Sequence, residues 1–318
     1  MEEIYLHEHN DFGDLLRILQ DETGILDTLI EKDYWIMHSL YGLKKQGYSF
    51  QLKGGTSLSK AYGIIDRFSE DIDIHIDPPA VLGINENPKN EKPANSQKKK
   101  EYYDQLAAEI NIPGIIKVTR DTEYDNTKNY NSGGIRLFYH QLTATRQGIK
   151  DGILLEAGYD TVMPNKPVTI TSWAYEKAKS LAAFSMKDNR AKEIICYDPR
   201  YTFVEKLQTI ATKYRVEQAT GKASNNYMRQ YYDIYCLLGQ QSVIDFLGTD
   251  AYQEHKKRRF PKPDLEIPAK ENEAFLLTNT QIRASLELRY QSSRDLYYKG
   301  QPSLSEILER IANYIHLM

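Results

Sequence analysis

The sequence predicts a two-part α/β (α+β) protein: N-terminal helices and a mixed sheet over residues 1–200, then an α-helical C-terminal domain over residues 201–318. Three observations carry this expectation. Residues 71–77 read Asp-Ile-Asp-Ile-His-Ile-Asp, a strict polar–apolar alternation that matches a half-buried strand of period two. Further strand candidates at 48–52, 115–120, 134–141 and 152–159 are bounded by polar or glycine-bearing segments. From about Ser172 onward the pattern is helical almost without interruption, which places the domain boundary near residue 200.

In chain order, residues 11–45 read as helix. Leu15, Leu16, Leu19, Ile25, Leu26, Leu29, Ile30, Trp35, Ile36 and Leu40 recur at roughly helical spacing, with a break at Glu22-Thr23-Gly24. The charges of Glu31, Lys32 and Asp33 read most simply as a solvated helix face, and a direct role for Lys32 stays open. A strand from Tyr48 to Leu52 runs into a Gly54-Gly55 turn, and a helix opens near Thr56 and Ser57. After the acidic strand, residues 78–100 are rich in Pro, Asn and Lys and read as a mobile loop. That loop ends in a basic helix start, Lys98-Lys99-Lys100, before Tyr102 to Ile110. It is either a guide for a substrate backbone or a plain surface insertion. In the strand candidate 152–159, Glu156 stands among Ile153, Leu154, Leu155 and Ala157. A carboxylate buried there is costly unless it is paired or bound to a cation.

Beyond the boundary, Thr202 to Arg215 is amphipathic. Phe203, Leu207, Ile210, Ala211 and Tyr214 form its apolar stripe, and Lys206 and Lys213 share another face, where Lys206 taken alone is an ordinary surface lysine. Met228 to Leu238 is also helical, which puts Arg229 and Asp233 on one face as a candidate ion pair worth only tenths of a kcal/mol. His255 to Arg259 is a concentrated basic run between Tyr252 and Phe260, either an RNA-backbone contact or a solvated charge run; Pro261 and Pro263 continue it as a linker. Ser303 and Glu306 make a capping box for the last helix, Leu304 to Leu317.

Bulk properties exclude several classes. The 318 residues suffice for a full core, and 27% charged with 41% hydrophobic residues is ordinary for a soluble chain. A net charge of -3 gives no global basic field for nucleic acid, so such binding needs a local patch. Cys196 and Cys236 offer neither a zinc spacing nor a disulfide framework, which fits a reduced cytoplasm. The acidic start does not resemble a signal peptide, and no apolar run approaches the roughly 20 residues that span a bilayer. The 24 tyrosines could stack on bases, but core and interface use explains them more simply.

The chemistry concentrates between Lys53 and Asp77. On a strand, Asp71 and Asp73 share a face just past the glycine turn, and two like charges held that close repel unless a cation sits between them. Backbone N–H groups at the turn and the following helix start can receive a phosphate. An Asp-x-Asp pair alone is common on surface strands, and a Gly-Gly pair is often only a turn. The EF-hand spacing is absent, and a haloacid-dehalogenase-type strand lacks the polar Arg67-Phe68-Ser69-Glu70 lead-in found here. Turn, helix and acidic strand in this order point to a divalent metal plus a nucleotide phosphate.

Gly-Gly-Thr-Ser at 54–57 followed by Arg-Phe-Ser-Glu-Asp-Ile-Asp at 67–73 resembles the nucleotidyltransferase toxins of the AbiEii/AbiGii family, within the DNA polymerase β-like superfamily. The resemblance runs from about residue 30 to 310, and Ile30 to Trp35, Glu205-Lys206-Leu207 and Met228 to Asp233 resemble softer motifs of the same family. It implies a polymerase β-like core with Asp71, Asp73 and, as third carboxylate, Glu156 holding Mg²⁺ (or Mn²⁺). It implies nucleotide contacts from Gly54, Gly55, Thr56, Ser57 and Lys206, an active-site role for Asp233, and an NTP substrate. Ser69 matches the serine of the family's Ser-x-Asp-x-Asp pattern, a position some antitoxins phosphorylate. An RNA (tRNA) hydroxyl is the expected acceptor, and a cognate antitoxin protein an expected partner. A metal-dependent hydrolase or nuclease using the same carboxylates, and a non-catalytic nucleotide or RNA binder, are the alternatives.

Overall fold

The computed structural model describes residues 3–146, 148–181, 185–224 and 227–318. The chain divides into two compact units: residues 1–61 with 68–197, and residues 62–67 with 198–318.

The first unit begins with helices α1 (Phe12–Thr23) and α2 (Asp27–Lys45). They are separated at Gly24, whose left-handed backbone (φ 71°) ends α1 and which a side chain would strain. Strands β1 (Phe50–Lys53) and β2 (Asp71–Ile76) follow, then helix α3 (Pro93–Glu109), strands β3 (Ile115–Asp121), β4 (Ser132–Tyr139), β5 (Ile153–Gly158) and β6 (Asn165–Ile170), helix α4 (Trp173–Leu181) and strand β7 (Ala191–Tyr197). Among the described residues the strands form one sheet in the order β3-β4-β5-β2-β1-β7-β6. It is mixed: β2 runs parallel to β5 and β1 to β7, and the remaining neighbours are antiparallel. The isoleucines at 72, 74 and 76 are buried, as the alternation predicts, while Asp71 and Asp73 stay partly open.

Several expectations from the sequence differ from the structure. The charges of the 30–35 motif are not a solvated face: Glu31, Lys32 and Asp33 are each at most 1% exposed. Helix α2 packs against α1, α4 and β7, and each buried charge has a fixed partner. Glu31 accepts from the Leu142 and Thr143 backbone, and Asp33 takes Lys60 (2.6 Å) and the Trp173 amide (2.9 Å). The helix expected at Lys98 starts at Pro93, whose fixed φ suits the first helical turn, and Lys99 is buried against the Tyr159 ring. The region after Ser172 is not helical throughout. It holds β7, in which Ile194, Cys196 and Tyr197 are buried in a run too short for periodicity to separate strand from helix. Strand β6 tolerates Pro167 because it lies at the edge of the sheet.

The second unit is helical: α5 (Pro199–Thr220), α6 (Met228–Leu237), α7 (Asp250–Arg259), α8 (Thr280–Gln291) and α9 (Leu304–Tyr314), with short turns between. Phe203, Leu207, Ile210, Ala211 and Tyr214 of α5 form the buried stripe that the spacing implies, and Ser303 and Glu306 close the capping box of α9. The Pro261–Pro263 stretch is not a linker but opens a helical turn, Lys262–Leu265, whose buried Asp264 accepts from Arg215 (2.6 Å). The basic run before it ends α7, with His255 buried and Arg259 3.4 Å from Glu205.

Candidate active site

Three carboxylates meet at the centre of the sheet. Asp71 and Asp73 project from the same face of β2, and parallel pairing sets Asp73 beside Glu156 and Asp71 beside Leu154. Asp73 also lies opposite Lys53 of β1, so it is flanked by a strand on each side. Gly54 makes this possible. It adopts a left-handed backbone (φ 73°), and a Cβ there would overlap the Asp73 carboxylate. The glycine turn is therefore shaped around the acid as well as around the chain reversal.

The electrostatics are those of an overcrowded anionic site. Burial, then the charges of Asp73 and Asp71, push the Glu156 carboxyl up to about 8, with Lys150 and Lys53 only partly opposing. Lys150 supplies the main local compensation. Its Nζ donates to both oxygens of Asp71, at 2.9 and 2.8 Å, and lies 4.9 Å from the centre of the Tyr124 ring. Burial works against the Lys150 charge, but Asp71 outweighs it and raises the ammonium above its ordinary value.

A buried network positions that lysine. The Lys150 amide donates to Glu70 Oε2 (2.9 Å), Lys32 lies 3.5 Å from the same oxygen, and Lys32 Nζ also donates to the Lys150 carbonyl. Lys32 is thus a support beneath Lys150. Burial pulls its ammonium below the usual lysine range, with Glu70 and Asp71 resisting. Spacing offered no signal for Lys150, which sits alone in a polar segment; Glu70 lay within the motif, where strand alternation gave it no role.

The other expected nucleotide-binding residues are placed as follows. Gly54 to Thr56 form a helical turn that continues as a wide turn through Ala61. Thr56 is buried and its hydroxyl donates to the Asp71 carbonyl, tying the turn to β2; Ser57 is buried too, beside the Cys196 thiol. Both hydroxyls point inward. Ser69 is half-buried on the extended segment ahead of β2.

Lys206 and Asp233 belong to the second unit, where they meet in a buried cluster with Arg67. The Arg67 guanidinium donates twice to Asp233, at 2.7 Å each, and Lys206 Nζ lies 3.1 Å from it. Burial raises the Asp233 pKa, but Arg67 and then Lys206 outweigh it and hold the carboxyl below the usual range. Lys206 is thus no ordinary surface lysine, and the bidentate partner of Asp233 is a residue 166 positions away in sequence.

The first unit thus carries clustered acids beside a glycine turn on a mixed sheet. The chain matches the family described as nucleotidyl transferase AbiEii toxin, type IV TA system, over residues 38–310, and it belongs to that family. Membership makes it a nucleotidyltransferase toxin and implies an antitoxin partner. No curated protein matches it significantly. Among solved structures it is similar to an antigenic nucleotidyltransferase-like protein from Paracoccidioides brasiliensis, at 12% identity and a TM-score of 0.35, covering 82% of this chain and 92% of that one. Among the described residues no helix is long and apolar enough to cross a membrane.

Proposed function

We propose that the protein transfers a nucleoside monophosphate from an NTP to an acceptor hydroxyl, first of all on RNA such as tRNA, in the cytoplasm. The observation that carries this reading is the pairing of Glu156 with Asp73, which gathers three carboxylates with too little positive charge around them. Such a donor set, all oxygen and all acidic, suits Mg²⁺ or Mn²⁺, and Asp71, Asp73 and Glu156 would hold it. When bound, the metal lowers the pKa of the acceptor hydroxyl and offsets charge on the leaving pyrophosphate.

The chain's own residues do the rest. Attack of the acceptor oxygen at the α-phosphorus forms one P–O bond and breaks the bond from that phosphorus to the oxygen bridging to the β-phosphate, so that pyrophosphate leaves and the hydroxyl proton passes to solvent. Gly54, through its missing side chain, lets Asp73 stand beside the turn. The backbone of residues 54–57 receives the terminal phosphates, and Lys150 holds the Asp71 carboxylate in one orientation. Lys206 and Asp233 enter this reading on the family resemblance alone, as does Ser69, where a phosphate added by an antitoxin would repel the nucleotide. A Ser69→Glu chain with full transferase activity removes that last element.

The test is incubation with each labelled NTP in turn, Mg²⁺ and bulk RNA. Label transferred to RNA, with pyrophosphate released, is the expected result. RNA shortened without any NTP requirement would establish a nuclease instead.

A further inference from the structure

A second cluster, at the far end of β2, is not used by the proposed transfer. We infer that His75, Asp77 and Glu86 form a separate site for a transition-metal dication of the zinc class. His75 Nε2 lies 3.0 Å from Asp77 Oδ1 and 3.4 Å from Glu86 Oε2, and the three donor atoms all fall within 4.8 Å of one another. Tetrahedral coordination at the usual zinc bond lengths separates neighbouring ligand atoms by roughly 3.3 Å. The two distances from the imidazole match that edge.

Hydrogen bonding fixes the orientation of the ring. His75 Nδ1 lies 2.8 Å from the Asp160 carbonyl oxygen, which can only accept, so Nδ1 carries a proton. The second ring nitrogen, Nε2, is thereby aimed at two carboxylate oxygens. A proton on Nε2 can serve one of them and leaves the other as an adjacent like charge. A dication accepts all three donors at once.

The surroundings are those of a built ligand set. His75 is 8% exposed, so its ring is held by packing. Asp77 Oδ2 accepts from Ser49 Oγ (2.5 Å) and Gln51 Nε2 (3.1 Å), which turns Oδ1 toward the imidazole. A carbonyl behind the histidine and donors behind the carboxylate are the outer-shell pattern that orients metal ligands. A nearby cation, Lys99, donates through Nζ to Asn131 Oδ1 (2.6 Å) and lies over the Tyr159 ring, while the Glu86 charge acts on it without a hydrogen bond. The nitrogen donor favours zinc-class ions over Mg²⁺, so this site differs in kind from the all-oxygen triad. Its mechanical effect would be to clamp the segment carrying Glu86 onto the end of β2.

The experiment is calorimetric titration of the full-length, chelator-stripped chain with Zn²⁺ in excess Mg²⁺, which occupies oxygen-only sites. One Zn²⁺ per chain is expected, with a rise in melting temperature that grows with Zn²⁺ concentration. Loss of an outer-shell partner weakens metal sites about 10–100-fold, so Glu86→Gln, a change at an exposed residue, should weaken Zn²⁺ at least that much. His75→Gln should do the same and is read alongside in case it disturbs the fold. No Zn²⁺ heat under excess Mg²⁺, or equal affinity in Glu86→Gln, overturns the inference and leaves an imidazolium–carboxylate pair in its place. The transfer assay is independent, so either reading can fail alone.

Discussion

Two charge clusters in this chain, one partly open and one buried, are built on opposite principles. In the first unit, Asp71, Asp73 and Glu156 crowd three acids around Lys150, and the Glu156 carboxyl is pushed up to about 8. In the second unit, the single acid Asp233 is clasped by Arg67 and Lys206, and its carboxyl is pulled down. The second cluster satisfies itself. In the first, burial and the charges of Asp73 and Asp71 outweigh Lys150 and Lys53 and favour the neutral form of Glu156. Undercompensated charge marks where a ligand belongs, whereas compensated charge holds structure together.

The comparison can be broken in several ways, and the largest effect comes first. Asp73→Asn should lower nucleotidyl transfer by about a thousandfold or more, since under the proposed reading it weakens the hold on the metal that offsets charge on the phosphates. Its melting temperature should hold or rise, because Glu156 loses a repelling neighbour. A marked drop in melting temperature would mean that Asp73 is a structural acid like Asp233.

Asp233→Ala should have the reverse profile. It strands Arg67 and Lys206 in a buried position, and breaking such pairs costs about 3–5 kcal/mol, read as a shifted urea midpoint. The milder Asp233→Asn tests the family's active-site assignment: a normal melting curve with abolished transfer would give Asp233 a chemical role as well.

The pH dependences should run in opposite directions. Between 4.5, the ordinary value of a glutamate, and about 8, folded Glu156 binds more protons than the unfolded chain does. The metal-free protein should therefore lose stability as pH rises through that window, by on the order of 3–5 kcal/mol, and Glu156→Gln should flatten the curve. Asp233 contributes the other sign. Its stabilisation is present above the ordinary aspartate value of 3.8 and fades as pH falls below it. Urea unfolding across pH measures both.

The smallest effect belongs to Lys150→Met. The pair with Asp71 is partly open to solvent, so stability should change by about 1 kcal/mol or less. Because Lys150 lowers the Glu156 pKa, its removal should move the Glu156 titration to higher pH. A titration left in place would show that Lys150 does not compensate the triad.

The sequence by itself determined the local facts. Strict alternation put Asp71 and Asp73 on one face of β2 with the isoleucines buried, because a strand has period two whatever surrounds it. A lone acid in an apolar run singled out Glu156 for the same kind of reason, and the helical stripe of α5 followed from a period of 3.6. The tertiary structure decided everything that depends on which segments become neighbours. It buried Glu31, Lys32 and Asp33 around α2, brought Lys150 over Asp71 from 79 positions away, paired Arg67 with Asp233, and added β7 beside β1. Periodicity reports the direction in which a side chain leaves its own backbone. What it meets there, water or an opposite charge, is set by packing between distant segments, and no local spacing encodes that.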